Sequence, residues 1–141
     1  MLFRSGPFPT ELNDETGEEL RKIGNEFGST TGRPRRCGWI DLVALKFACM
    51  INGVTQLVMT KADVLDSLDT LQVCNKYKID DQEIDEIPYQ MMRLNIEPMY
   101  QTFEGWKTDI TAVKSFEELP DRKSTRLNSS HERLSRMPSS A

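Results

Sequence analysis

Histidine is almost absent from this chain: there is one, His131, so nothing in the body of the protein supports histidine-based catalysis or a histidine metal site. Cysteine is scarce as well. Cys37, Cys49 and Cys74 are odd in number and form no CxxC pair. They therefore build neither a disulfide framework nor a zinc site, and reduced thiols of a cytoplasmic protein are expected. No apolar run is long enough to cross a bilayer, and the opening MLFRSGPFPT lacks the apolar segment of a signal peptide. Positive charge is in deficit, 18 Lys and Arg against 22 Asp and Glu, a net of −4. A nucleic-acid or membrane partner calls for a basic face, so neither is expected. Also missing is a GxxxxGK[ST] phosphate loop, which counts against a free-standing nucleotide-binding module.

What remains is 141 residues, 38% hydrophobic, the size of one ordinary domain. The composition changes at Asp121. DRKSTRLNSSHERLSRMPSSA is nearly free of apolar residues and has no amphipathic period. Its two ends, DRKSTRLNSSH and SRMPSSA, resemble the in-frame translation of a sequencing-library adapter. Residues 121–141 are accordingly read as a non-native, disordered tail and set aside from fold and function. The tail holds Arg122, Lys123, Arg126, Arg133 and Arg136 against Asp121 and Glu132, so residues 1–120 are more acidic than the whole.

Along residues 1–120, GPFPTEL (Gly6 to Leu12) reads as a loop, because each proline fixes φ and withholds an N–H. Glu11 to Ile23 is polar, a loop with room for one short helix. Gly28 to Trp39, GSTTGRPRRCGW, is a loop that crowds three arginines around a proline. Trp39 to Asn52 carries apolar residues at helical spacing (Trp39, Val43, Phe47, Met50) and predicts a mostly buried helix, with Gly53 just past its end. QLVMT, Gln56 to Thr60, predicts a short buried strand leading into TKAD. LQVCNKYKI (Leu71 to Ile79), an Asp80-Asp81 turn and QEIDEIP predict a hairpin, and EPMYQTFEGW a further strand. Ser115 with Glu118 has the spacing of a capping box and announces a helix.

Two constellations carry chemistry. Guanidinium forks match carboxylates and phosphates in a two-pronged way, and Arg33 and Arg35, stiffened by Pro34, can face one or two anions. Thr30 and Thr31 add hydroxyls, and Gly28 and Gly32 let a ligand approach the backbone. The competing reading is a solvated loop whose arginines pair with the protein's own carboxylates. The second constellation is TKAD, Thr60 to Asp63. A carboxylate there can accept both guanine N1–H and the 2-amino group while the lysine stem lies along the purine; adenine lacks that donor pair. Its competing reading is a surface turn. The carboxylates of DDQEIDE (Asp80 to Glu86) read as a solvated hairpin rather than a metal site, and Met91-Met92 as core filling.

Taken together, GPFPTEL, DETGEELRKIGNEFGSTTGRPRRCGWIDLVAL, TKADVLD and EGWKTDI with FEELP resemble the adenylosuccinate synthetase family, in its order and spacing over essentially all of residues 6–120. The resemblance implies an α/β fold, a partial piece of that family's large sheet, which is related to the P-loop NTPases. It implies GTP-dependent ligation of L-aspartate to IMP through a 6-phosphoryl-IMP intermediate, in a homodimer that uses Mg2+. The family's aspartate loop falls on Ser29, Thr30, Thr31, Gly32, Arg33, Pro34 and Arg35. Within it Arg33 also contacts IMP and Arg35 reaches toward GTP, and the guanine-recognition segment falls on Lys61, Ala62 and Asp63. The family's phosphate loop, catalytic aspartate and histidine, and magnesium ligands match nothing in this chain, so a fragment without activity of its own, and without a stable fold of its own, is expected.

Overall fold

The computed structural model describes residues 6–113, so the capping box at Ser115 and Glu118 and the tail from Asp121 lie outside the described residues. Within them the chain runs through helix α1 (Glu15–Ile23), strand β1 (Ile40–Asp41), helix α2 (Leu42–Asn52), a 3-10 turn (Ala62–Leu65), and strands β2 (Thr70–Ile79), β3 (Gln82–Ile84) and β4 (Glu97–Glu104).

Helix α1 forms where the polar segment left room for one. Asp14 caps it by accepting from Gly17 N at 2.9 Å, and Glu15 and Glu18 at the start and Arg21 and Lys22 at the end complement the helix dipole. Its buried Leu20 joins Leu68 and Leu71 in one apolar cluster, against which Leu12, Cys37, Trp39, Val64, Phe103 and Trp106 pack.

The centre of the sheet is β2. One of its edges pairs antiparallel with β4 from Thr70↔Glu104 to Lys78↔Glu97. The other pairs parallel with β1 at Ile40↔Val73 and Asp41↔Cys74, and antiparallel with β3 from Tyr77↔Ile84 to Ile79↔Gln82. The Asp80-Asp81 turn takes positive φ at both residues, 47° and 67°, the geometry that closes a two-residue hairpin without splaying its strands. Strand residues alternate faces, so Leu71 and Cys74 point to opposite sides. A bulge between Cys74 and Lys76 shifts the period and lets Tyr77 share the face of Cys74. That face holds the second cluster, Val43, Cys74 and Tyr77, with Ile84, Ile87, Met91, Ile96 and Tyr100 around it. The fold is a mixed α/β open sheet, as expected, and the hairpin and following strand stand where the alternation put them.

Four expectations need correction. Helix α2 begins at Leu42 rather than Trp39, because Ile40 and Asp41 are taken up by the sheet and Asp41 then caps the helix, accepting from Ala44 N at 3.0 Å. Its end is as read: Gly53 adopts φ 60° and closes the last turn. Nor is α2 mostly buried. Only Val43 is buried in it, while Leu42, Phe47, Met50 and Ile51 remain exposed, since among the described residues the helix packs chiefly on β2. Gln56 to Thr60 is not a strand: it pairs with nothing described and is exposed throughout, Val58 to 86%. An apolar run becomes a buried strand only beside partner strands, and none of the described strands flanks it. Met91 fills the core as read, but Met92 is exposed.

Candidate functional site

The arginine loop is a narrow projection with both legs fastened. Phe27 and Pro34 bridge antiparallel, Gly28 N donates to Arg33 O at 2.8 Å, Gly32 N to Gly28 O at 2.8 Å, and Arg35 N to Glu26 O at 3.0 Å. Gly32 sits at φ 63°, where a side chain would strain the turn. The second leg lies against the Gly6 to Leu12 loop: Leu12 N donates to Cys37 O at 2.9 Å and Thr10 Oγ1 to Trp39 O at 2.8 Å. Gly38 is needed there, since a Cβ would fall 2.2 Å from Thr10 O. What projects from this frame is Ser29, Thr30, Thr31, Gly32 and Arg33, all exposed.

The three arginines have different employment. Arg36 is a fastener. Its guanidinium donates to Glu11 Oε2 at 2.6 Å and Gly6 O at 3.0 Å, and lies 5.2 Å from the centroid of the Phe8 ring. Hydrogen bonding to Arg36 holds the Glu11 carboxyl below its ordinary range and, reciprocally, holds the guanidinium's protons more tightly. Arg35 donates to Glu26 Oε2 at 3.0 Å, while its carbonyl accepts from Arg21 Nε at 2.8 Å. Arg33 forms no ion pair among the described residues, and it is exposed. The self-pairing reading of the loop thus holds for Arg36 and for one face of Arg35, and not for Arg33.

The second constellation lies next to the first. Lys61, at φ 57°, sends its ammonium to Glu26 Oε1 at 2.7 Å and to Gly24 O at 2.6 Å. Ala62 opens the 3-10 turn, and Asp63 within it is exposed, its carboxylate engaging no described side chain. The argument that TKAD sits at the end of a strand does not survive, because Gln56 to Thr60 is irregular. Proximity takes its place: Arg35 and Lys61, 26 residues apart by number, share the two oxygens of one carboxylate. Hydrogen bonds from Lys61 first and Arg35 second hold the Glu26 carboxyl below its ordinary range, so it stays ionised between them. Sequence reasoning missed Glu26. Its only signal was a lone carboxylate placed between α1 and an arginine-rich loop in an otherwise charge-sorted stretch.

Elsewhere the acidic hairpin is solvated and paired: Glu83 with Lys76 at 2.8 Å, Asp85 with Lys46 at 3.1 Å, Asp81 with Lys78 at 2.8 Å. The cysteines are free. No helix among the described residues is long and apolar enough to cross a membrane.

The family model for adenylosuccinate synthetase matches residues 3–135, a span that runs past Asp121. Among curated relatives, the adenylosuccinate synthetase of Cytophaga hutchinsonii is 59% identical over 117 residues and that of Bacteroides thetaiotaomicron 57% over 117 residues, covering 82% and 83% of this chain. Each match takes in 27% of the relative, so the chain spans about a quarter of their length. A solved structure of fully ligated adenylosuccinate synthetase from Plasmodium falciparum superposes with a TM-score of 0.83 at 36% identity, over 93% of this chain and 32% of that one.

Proposed function

The chain belongs to the adenylosuccinate synthetase family, and we propose that it is the part of such an enzyme that recognises L-aspartate and the guanine of GTP. The whole enzyme ligates aspartate to IMP. The 6-oxygen of IMP attacks the γ-phosphorus of GTP and GDP leaves. The aspartate amine then adds at C6, and inorganic phosphate departs as the amine gives up a proton. The product is adenylosuccinate, on the route from IMP to AMP.

The observation that carries this reading is the shared carboxylate of Glu26, which seats the arginine loop beside the Lys61 segment. A loop for a dicarboxylate and a segment for a guanine base need to be neighbours in an enzyme that uses both. Ser29 to Arg35 enclose aspartate, with Thr30, Thr31 and backbone N–H groups at one end and the two-pronged Arg33 and Arg35 neutralising its carboxylates. Arg33 also meets IMP. Arg35 reaches toward GTP, and the cations lower the cost of gathering anions around phosphoryl transfer. Lys61 lays its stem along the guanine, Ala62 borders it, and Asp63 accepts from N1–H and the 2-amino group.

Magnesium is expected of the family, but among the described residues no group of three or more carboxylates, cysteines or histidines is placed to hold a metal ion. With its matches confined to 27% of the relatives, the chain is proposed to be inactive alone and to act within a cytoplasmic homodimer.

The test uses a full-length relative in which residues 6–113 replace the matching segment. Asp63→Asn should weaken GTP use and shift preference toward xanthosine triphosphate, whose base presents a carbonyl where guanine has an amine. Steady-state rates with both nucleotides decide it; an unchanged preference for GTP removes Asp63 from the base site.

A further inference from the structure

Glu26 is the residue that the family reading leaves without a task, and its geometry is specific. Each carboxylate oxygen serves a different cation, Oε2 the Arg35 guanidinium at 3.0 Å and Oε1 the Lys61 ammonium at 2.7 Å. Its own carbonyl accepts from Arg35 N at 3.0 Å, so backbone and side chain hold the same residue. Gly24 O takes a second proton of the Lys61 ammonium at 2.6 Å. The side chain is 27% exposed, the most sheltered member of the three. Lysine and arginine are long and rotamer-rich, and fixing each on binding costs free energy that a preformed contact removes. Lys61 in particular is held at its charged tip by two acceptors, which leaves its apolar stem as the free surface.

We propose that Glu26 is a positioning residue that presets Arg35 and Lys61 for the two substrates together, coupling aspartate recognition to guanine recognition. This rests on the assignment of the arginine loop and the Lys61 segment to aspartate and GTP. Glu26 itself touches neither substrate. It works by fixing the distance between a guanidinium and an ammonium that would otherwise repel each other and wander. Because the same carboxylate holds both, ordering one by its ligand helps to order the other, and such a coupling is reciprocal.

Glu26→Gln tests this with little change of shape. An amide has one acceptor oxygen, and its NH2 group would face the second cation donor to donor, so one of the two contacts is lost. In the full-length enzyme carrying this segment, KM for GTP and for aspartate should each rise about threefold to tenfold, the scale of immobilising one long side chain on binding. KM for IMP and kcat should stay near their starting values, as should the melting temperature. The dependence of aspartate KM on GTP concentration should flatten. Glu26→Asp, too short to reach both cations, should behave alike, and in a Lys61→Met background Glu26→Gln should raise KM for GTP less than it does in the parent, the remainder acting through Arg35. Unchanged KM for both substrates in Glu26→Gln, while Arg35→Leu and Asp63→Asn alter theirs, overturns the positioning role and leaves the substrate assignment standing. If all of these variants behave as the parent does, the assignment itself falls. Loss of folding in both Glu26→Gln and Glu26→Asp, read by gel filtration and melting, makes the residue a structural one and also overturns the proposal.

Discussion

Tyr77 has no exposed surface and stands where β1, α2 and β2 meet, its hydroxyl donating to Asp41 Oδ2 at 2.5 Å. The other oxygen of Asp41 caps α2 at Ala44 N, 3.0 Å away, so one carboxylate ties the helix start to the central strand directly after the arginine loop. Tyr77→Phe keeps the ring and its packing and removes only the hydroxyl. A hydrogen bond to a charged acceptor contributes about 1.5–3 kcal/mol net. With about 1.4 kcal/mol per factor of ten, β2 should then open roughly tenfold to a hundredfold more often. Hydrogen exchange measured by mass spectrometry on peptides spanning residues 70–79, in the full-length enzyme carrying this segment, reads that change. Tyr89→Phe is the control, since Tyr89 is wholly exposed and its hydroxyl has no part in the sheet. Exchange in β2 that is the same in parent and Tyr77→Phe, or that quickens equally in the control, refutes the reasoning.

Burial, with the Asp41 charge second, pushes the Cys74 thiol from 9.0 up to about 11. The neutral thiol's contribution to stability is therefore complete below about pH 9 and is lost as pH rises toward 11, about 1.4 kcal/mol per pH unit, and Tyr77, also shifted upward, adds to the loss above pH 10. Alkylation followed by peptide mass spectrometry at pH 8 should label Cys37 and Cys49 well before Cys74; equal rates would contradict the burial. Gly38→Ala would drive a Cβ to 2.2 Å from Thr10 O, and such overpacking costs about 1–3 kcal/mol. A lower melting temperature together with a raised aspartate KM is expected, because the second leg of the arginine loop is displaced, and an unchanged melting temperature would show that the leg is not held there.

How much of this was written in the sequence depends on the range of the interaction. The hairpin was legible because two adjacent aspartates flanked by alternating residues close a local turn, and Gly53 marked a helix end for an equally local reason. Periodicity could not tell the last strand residues before α2 from its first turn, since Ile40 and Asp41 owe their state to Val73 and Cys74, over thirty residues away. Gln56 to Thr60 was misread because apolar character states a need for burial without saying that a partner is at hand. The candidate site stood in the sequence as two separate motifs, the arginine forks and a Lys-Ala-Asp turn. Their junction was not, because Glu26 acquires its place only when α1 and the 3-10 turn pack together.

Whether the projecting loop holds aspartate, as proposed, is read from aspartate saturation of Arg33→Leu and Arg35→Leu in the full-length enzyme carrying this segment. A substrate carboxylate left without its guanidinium in a closed site costs about 2–5 kcal/mol, so kcat/KM for aspartate should fall roughly thirtyfold or more. Lysine at either position should restore little of it, because a point charge does not reproduce the two-pronged geometry. Melting temperatures should hardly move, as both side chains lie on the exposed face of the loop. Normal aspartate kinetics in both leucine variants would contradict the claim and return the loop to the surface ion pairs of an acidic protein.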